Sequence, residues 1–301
     1  MAWLGAATAL LTALGAGPAG AADGWQKVGG DILSGVSGVA SEGGASHGAG
    51  LRALVVHDNK EPGQRRLSRI TRQNGHDRVS PIAWDGAEPV DLEAIEAIPH
   101  KPSEYLALAS RGIVYHIEVT GSAAKVLDYA PLPAIGPGDN FESIALVSRN
   151  KHLAALWADR GEGGDRPATL YAAPLTFDQW GQPQFGSVTH RAYRATYPAG
   201  KATRHISDIS VADSGRLIVS SAADAGDDGP FDSAVSDAGR VTLTSGGRVR
   251  VALAASPTVL GTFPGHKIEG VECRHGSTSA LLGTDDENLG GYLRTAPLCK
   301  D

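Results

Sequence analysis

Apolar and polar positions alternate along most of this chain in short runs, and five of those runs open in the same way. An aliphatic or aromatic residue is followed by Glu or Ser, then a small or polar residue, then a second aliphatic. The five are Val36-Ser37-Gly38-Val39, Leu92-Glu93-Ala94-Ile95, Phe141-Glu142-Ser143-Ile144, Ile206-Ser207-Asp208-Ile209 and Ile268-Glu269-Gly270-Val271. Successive Glu or Ser positions lie 56, 49, 65 and 62 residues apart. Self-similarity at a near-constant period marks a repeat architecture, and these spacings fit a four-stranded blade and exceed the common helical repeats. The pattern predicts an all-β chain folded as a β-propeller of five blades, with six as the alternative.

Within each repeat the alternating runs divide into strand, turn, strand, turn. Blade one is expected at 36–41, 51–57, 66–71 and 79–83, blade two at 92–98, 105–109, 113–119 and 125–129. Blade three is expected at 141–147, 153–158, 169–173 and 188–193, and blade four at 206–211, 217–221, 240–244 and 249–254. Blade five offers only three strands, at 268–273, 279–282 and 292–294. An open edge there invites pairing with another chain. The segment 25–28, ahead of blade one, is available as the missing fourth strand and would close the ring.

Composition changes the picture at the two ends. The first 21 residues form a short apolar run followed by small residues, which reads as a secretory signal cut after Ala21, although no Lys or Arg precedes the run. Residues 22–301 then make a single propeller domain. No later stretch reaches the roughly 20 apolar residues of a membrane helix, so the mature protein is expected to be secreted, with no membrane span. A formal charge of −6 with both signs scattered gives no basic face for nucleic acid. A closed ring offers no edge for self-pairing, which predicts a monomer. In an oxidising compartment Cys273 and Cys299 are expected to form a disulfide. One intervening strand would separate them by about 10 Å, twice the strand spacing, a gap the short tail can span.

Candidate chemistry follows from strand direction. The start of strand one and the end of strand two of every blade meet at the same rim. This gathers Ser37, Glu93, Glu142, His205, Ser207, Asp208, His266, Lys267 and Glu269 with His57, Asp58, Asn59, Lys60, Arg111, Asp159, Arg160, Asp224, Asp285, Asp286 and Glu287. Carboxylates at close range raise one another's pKa unless cations intervene. Two arrangements satisfy them. Ca²⁺ takes six to eight oxygen ligands, and Asp285, Asp286, Glu287 and Asn288 with Glu93, Glu142 and Glu269 supply enough. Alternatively Lys60, Arg111, Arg160 and Lys267 pair with the carboxylates. Each Glu has a structural role open to it as well, bonding to the backbone of a neighbouring blade. His57, His205 and His266 are either general bases or hydrogen-bonded structural groups. The acidic loop from Asp224 to Asp232 reads as a solvated Asp/Gly turn, with a second cation site as the alternative. The chain contains no Gly-x-Ser-x-Gly, no His-Glu-x-x-His and no phosphate-binding glycine loop.

At Asp91-Leu92-Glu93-Ala94-Ile95, Asn140-Phe141-Glu142-Ser143-Ile144, Lys267-Ile268-Glu269-Gly270-Val271 and Gly283-Thr284-Asp285-Asp286-Glu287, the chain resembles the phytase-like (esterase-like) and SdiA-regulated propeller group. The resemblance covers most of residues 30–297. It departs from the group's pattern at Ser37 and Ser207, where the other blades carry Glu. The resemblance implies hydrolysis of a phosphoester or ester at a channel mouth assisted by Ca²⁺, with Glu93, Glu142, Glu269, Asp285 and Asp286 as metal ligands; a glycan-type substrate is a further expectation for the same mouth. Glu142, Glu269 and His205 are then the expected acid/base groups, and Arg111 and Arg160 stabilise developing negative charge. Two other functions fit the same face. One is a polysaccharide lyase acting on a uronate, and the other a non-catalytic propeller that binds a glycan or a protein.

Overall fold

The computed structural model describes residues 24–43 and 50–300. Strand β1 (Gln26–Gly29) precedes the first full blade, which is β2 (Gly38–Ser41), β3 (Arg52–Val56), β4 (Leu67–Gln73) and β5 (His76–Asp85). Blade two is β6 (Leu92–Ala97), β7 (Glu104–Ala109), β8 (Ile113–Thr120) and β9 (Ala123–Pro131). Blade three is β10 (Phe141–Arg149), β11 (His152–Asp159) and β12 (Ala168–Phe177), with β13 (Pro183–Phe185) and β14 (Thr189–Tyr193) both paired to β12. Blade four is β15 (Thr203–Val211), β16 (Arg216–Ala223), β17 (Asp232–Leu243) and β18 (Val249–Thr262). Blade five is β19 (Ile268–Cys273), β20 (Ala280–Asp285) and β21 (Gly291–Ala296), completed by β1.

The N-terminal strand closes the ring as expected, with Gln26 opposite Leu293 and Lys27 opposite Tyr292. Burial supports the closure. Five apolar clusters lie between blades one and two, two and three, three and four, four and five, and five and one, so each blade buries both faces and none is terminal. Trp25 packs at the joint between blades four and five, on Phe263 and His266, at 6.1 and 4.4 Å between ring centroids. The Cys273–Cys299 disulfide ties the tail to the end of β19, with the Cα atoms 5.7 Å apart. Among the described residues no helix is long and apolar enough to cross a membrane. The segment read as an export signal, 1–21, lies outside the described residues.

Strand boundaries follow the apolar alternation except in three places, one of which is β18, expected at 249–254 but continuing to Thr262 because its second half pairs with the early part of β17. In blade four, β17 begins at Asp232 rather than near 240, because the stretch Asp232-Ser233-Ala234-Val235-Ser236-Asp237 pairs with β16 although small and polar residues dominate it. In blade three, the short β13 was not expected, since Gly, Gln and Pro surround it.

The repeated opening has a steric cause. At Gly38 an added Cβ would lie 2.7 Å from Ala94 Cα and 2.9 Å from the Glu93 carbonyl, and at Gly270 it would lie 3.0 Å from a Val39 methyl. Innermost strands of adjacent blades therefore approach almost backbone to backbone, and the residue after Glu or Ser must be small there. We expect Gly38→Ala to lower the free energy of unfolding by about 1–3 kcal/mol, the range for forcing atoms into a filled interior. The measurement is the urea midpoint at unchanged m-value.

Candidate functional site at the channel mouth

A β-bulge sits at the repeated Glu in three blades. Leu92 pairs with Ala109 and Ala94 with Leu108, leaving Glu93 without a partner residue. Glu142 and Glu269 are skipped in the same way between Phe141 and Ser143 and between Ile268 and Gly270. In blade four the skipped stretch is longer, His205 to Ser207 between Arg204 and Asp208. In blade one, Ser37 donates its N–H to the Val56 carbonyl at 3.2 Å while Gly38 opposes the same residue. A bulge re-aims the extra side chain out of the ladder. Here it turns the side chains of blades two, three and five toward a common axis, since Glu93, Glu142 and Glu269 sense one another's charge.

Arg204 stands at the centre of this group. Its Nη1 donates to Glu269 Oε1 at 2.7 Å and to Glu142 Oε1 at 3.4 Å, while Nη2 donates to Asp224. Burial works against the guanidinium's charge, yet Glu142, Glu269 and Asp224 hold its pKa above the ordinary value. Arg160 Nη1 reaches the same Glu142 oxygen at 2.9 Å. Lys267, only 1% exposed, lies 3.2 Å from Glu269 Oε1 and 4.0 Å from Asp285 Oδ2, and also donates to Glu287. Lys60 pairs with Asp91 at 3.1 Å at the outer rim. Of the two arrangements open to the sequence, the structure thus adopts the one in which the protein's own cations pair with the carboxylates.

Two carboxylates stand differently. Glu93 is pushed well above the usual range, first by burial and then by Glu142, Asp91, Glu269 and Asp58. Glu142 is raised by burial against the opposing pull of Arg204. Its Oε1 is held by two arginines, whereas its buried Oε2 has no partner among the described residues.

The expected calcium ligands do not assemble as a set. Among the described residues no three His, Cys, Asp or Glu groups are disposed to hold a metal ion. Arg204 takes the space between Glu142 and Glu269, and Lys267 that between Glu269 and Asp285. Asp286 ties its turn to the start of β19, accepting from Lys267 N–H at 2.6 Å and Thr284 Oγ–H at 3.1 Å and facing His266 Nδ1 at 2.7 Å. These donors do not fit the ion, and no step below is routed through one. His205 is also placed apart from the carboxylates. Its Nε2 meets the Gly163 carbonyl at 2.7 Å and its Nδ1 accepts from Ala195 N–H at 3.2 Å, so both ring nitrogens serve backbone, and burial lowers its pKa. His57 is likewise a buried structural group, between the Gly35 carbonyl and Ser68, with its pKa lowered to about 4 by burial. Arg111 is exposed in the turn after β7.

Three site residues escape the sequence reading. Arg204 directly precedes His205, one position ahead of the residues assigned to the rim. Glu96 and Glu272 each follow a bulged Glu by three residues, a recurrence legible in blades two and five. They form a deeper tier with Asp208, in which Glu96 senses both Glu272 and Asp208. Asp208 accepts Val271 N–H at 2.7 Å and Ile209 N–H at 2.8 Å, and Glu272 accepts Ser41 Oγ–H at 2.9 Å.

No family model and no curated protein match the chain. Among solved structures it is similar to a GH43 endo-arabinanase from Bacillus licheniformis, at 12% identity over 90% of this chain and 96% of that one, with a TM-score of 0.50. The fold is that of a five-bladed propeller. A second structure, an α-L-arabinofuranosidase from Podospora anserina in complex with cellotriose, matches at 10% identity over 91% of this chain and 98% of that one, with a TM-score of 0.48.

Two predictions follow from the electrostatics. Arg204→Gln removes one partner of a buried network, and we expect a loss of about 3 kcal/mol in unfolding free energy, the low end for breaking such a pair because the guanidinium keeps some solvent contact. Chemical denaturation checks it. Burial raises Glu272 from 4.5 to about 7. A carboxyl raised on folding binds more protons in the native state, so its cost to stability grows as pH rises from about 4.5 to 7. His57, lowered on folding, acts oppositely below its ordinary value. The difference between Glu272→Gln and the parent isolates the carboxyl, and thermal unfolding is expected to show the variant's advantage increasing from pH 5 to pH 8.

Proposed function

We propose that the channel mouth is the active site of an exported hydrolase that cleaves a glycosidic bond with a pair of carboxyl groups. The observation that carries this reading is the unequal standing of Glu93 and Glu142. Glu93 has no hydrogen-bonded cation among the described residues, and burial together with the neighbouring carboxylates pushes its carboxyl up, which favours its protonated form. Glu142 keeps one oxygen on Arg160 and Arg204 and the other free. Glu93 therefore serves as the acid that protonates the departing glycosidic oxygen, and Glu142 Oε2 as the base that takes a proton from the attacking water. Arg160 and Arg204 fix the orientation of Glu142, and Glu269 anchors Arg204.

The pairing of the local cations selects among the substrate classes considered from sequence. Arg160, Arg204 and Lys267 are engaged by Glu142, Glu269, Asp224 and Asp285, which leaves them poorly placed to neutralise the negative charge that phosphoester and acyl-ester cleavage build. Glycoside hydrolysis passes through an oxocarbenium-like transition state, which carboxylates stabilise. The name of the endo-arabinanase that shares the fold supports a glycan substrate. The disulfide supports export to an oxidising compartment.

The test is a panel of neutral oligosaccharides and aryl glycosides, run with and without EDTA. We expect turnover that chelation leaves unchanged, and a fall in kcat of about 10²–10⁴-fold in Glu93→Gln and Glu142→Gln, the usual worth of a positioned acid or base. Aryl glycosides with good leaving groups should recover much of the Glu93→Gln loss and none of the Glu142→Gln loss. Turnover confined to phosphoesters, or full activity in folded Glu142→Gln, would overturn the proposal.

A further inference from the structure

Away from the mouth, the outer strands of blades three and four enclose a groove of about 900 Å³. Arg191 on β14, Arg240 and Thr242 on β17, and Arg248 and Arg250 at the start of β18 line it, together with Thr189. All four arginines are exposed. No Asp or Glu lines the groove. Among the described residues the side-chain hydrogen bonds of these arginines are to carbonyls, Arg191 to His190 at 2.8 Å and Arg240 to Ser214 at 2.5 Å. This is unusual for a chain whose formal charge is −6. By contrast Arg216, one strand away, is paired with Asp237 at 3.0 Å.

We propose that this interblade groove is a binding site for an acidic glycan, an oligosaccharide bearing carboxylate or sulfate groups. Guanidinium groups bind such oxyanions through paired N–H donors. Four of them along one groove, unneutralised by carboxylates, suit a ligand that repeats its charge along a chain. The groove's floor includes Leu170, Val249 and Val251, apolar surface suited to the C–H faces of sugar rings, and the threonine hydroxyls offer hydrogen bonds to ring hydroxyls. Its volume falls in the range of small-molecule sites, about 300–1,000 Å³. Single-stranded nucleic acid is the poorer fit, because its binding grooves stack bases on aromatic side chains and no Phe, Tyr or Trp lines this one. The site lies outside the channel and does not depend on catalysis there.

The experiment is calorimetric titration of the full chain with a polygalacturonate-derived tetrasaccharide, a heparin-derived tetrasaccharide, a neutral tetrasaccharide and a single-stranded oligonucleotide, at low and at physiological salt. We expect at least one acidic tetrasaccharide to bind, with affinity falling as salt rises, and to bind better than the oligonucleotide. Arg248→Gln/Arg250→Gln should weaken it tenfold or more, whereas Lys125→Gln/Lys300→Gln, which removes the same charge from exposed positions elsewhere, should change it less than twofold. Preference for the carboxylated over the sulfated probe, or the reverse, identifies the anion. Absence of binding by both acidic probes, equal or tighter binding of the oligonucleotide, or undiminished affinity in the Arg248/Arg250 variant would overturn the proposal. Thermal unfolding of each variant, expected to match the parent because all four positions are exposed, guards against misfolding.

Discussion

The approach of five innermost strands around one axis is the constraint from which the site follows. At Gly38 the neighbouring backbone comes within 2.7 Å of where a Cβ would be, so a regular ladder carrying a large side chain at that position cannot be accommodated. The chain answers with a bulge at the start of the inner strand. The bulge leaves one residue out of register, and a residue out of register in an inner strand projects along the axis instead of into the interblade core. Architecture and chemistry are thus encoded by the same four residues: the flanking aliphatics enter the cores between blades, the third residue is small where backbones meet, and the second is free to be polar.

That freedom carries an electrostatic cost. A carboxylate withdrawn from water is unfavourable unless paired, and three of them at one rim compound the penalty. Arg204 offsets it by reaching from blade four to Glu142 of blade three and Glu269 of blade five at once. One guanidinium therefore couples three consecutive blades, and its planar fork of donors is what permits two carboxylates to share a single nitrogen while a third takes the other. Glu93, on blade two, accepts no hydrogen bond from this guanidinium. Burial first, and then the charges of Glu142, Asp91, Glu269 and Asp58, push its carboxyl up.

Much of this was legible in the sequence and some was not, for definable reasons. The five openings pointed to five blades, with six left open, and marked the inner strands and Glu93, Glu142 and Glu269, because the small residue and the aliphatic flanks each leave a mark on local sequence. The closing strand was legible because blade five lacked one. Which charges pair was not legible, since Arg204 and Glu269 are 65 residues apart and meet only through the curvature of the ring. The roles of His205 and Asp286 were obscured for a related reason. Whether such a side chain turns to the axis or onto neighbouring backbone depends on distant groups such as the Gly163 carbonyl, 42 residues from His205, which no local pattern announces. The length of β17 was missed because its first half is held by pairing with β16 rather than by apolar alternation.

The two serines in the repeated position explain why the ring tolerates its glutamates at all. Ser37 and Ser207 sit buried, and their hydroxyls have no partner among the described residues, so they contribute polarity to the axis without charge. With Glu in all five places, the rim would add two further buried charges to the three already withdrawn from water. Arg204 binds a carboxylate of its own blade, Asp224, as well as Glu142 and Glu269, so both of its terminal nitrogens are engaged and neither added charge would find a partner there.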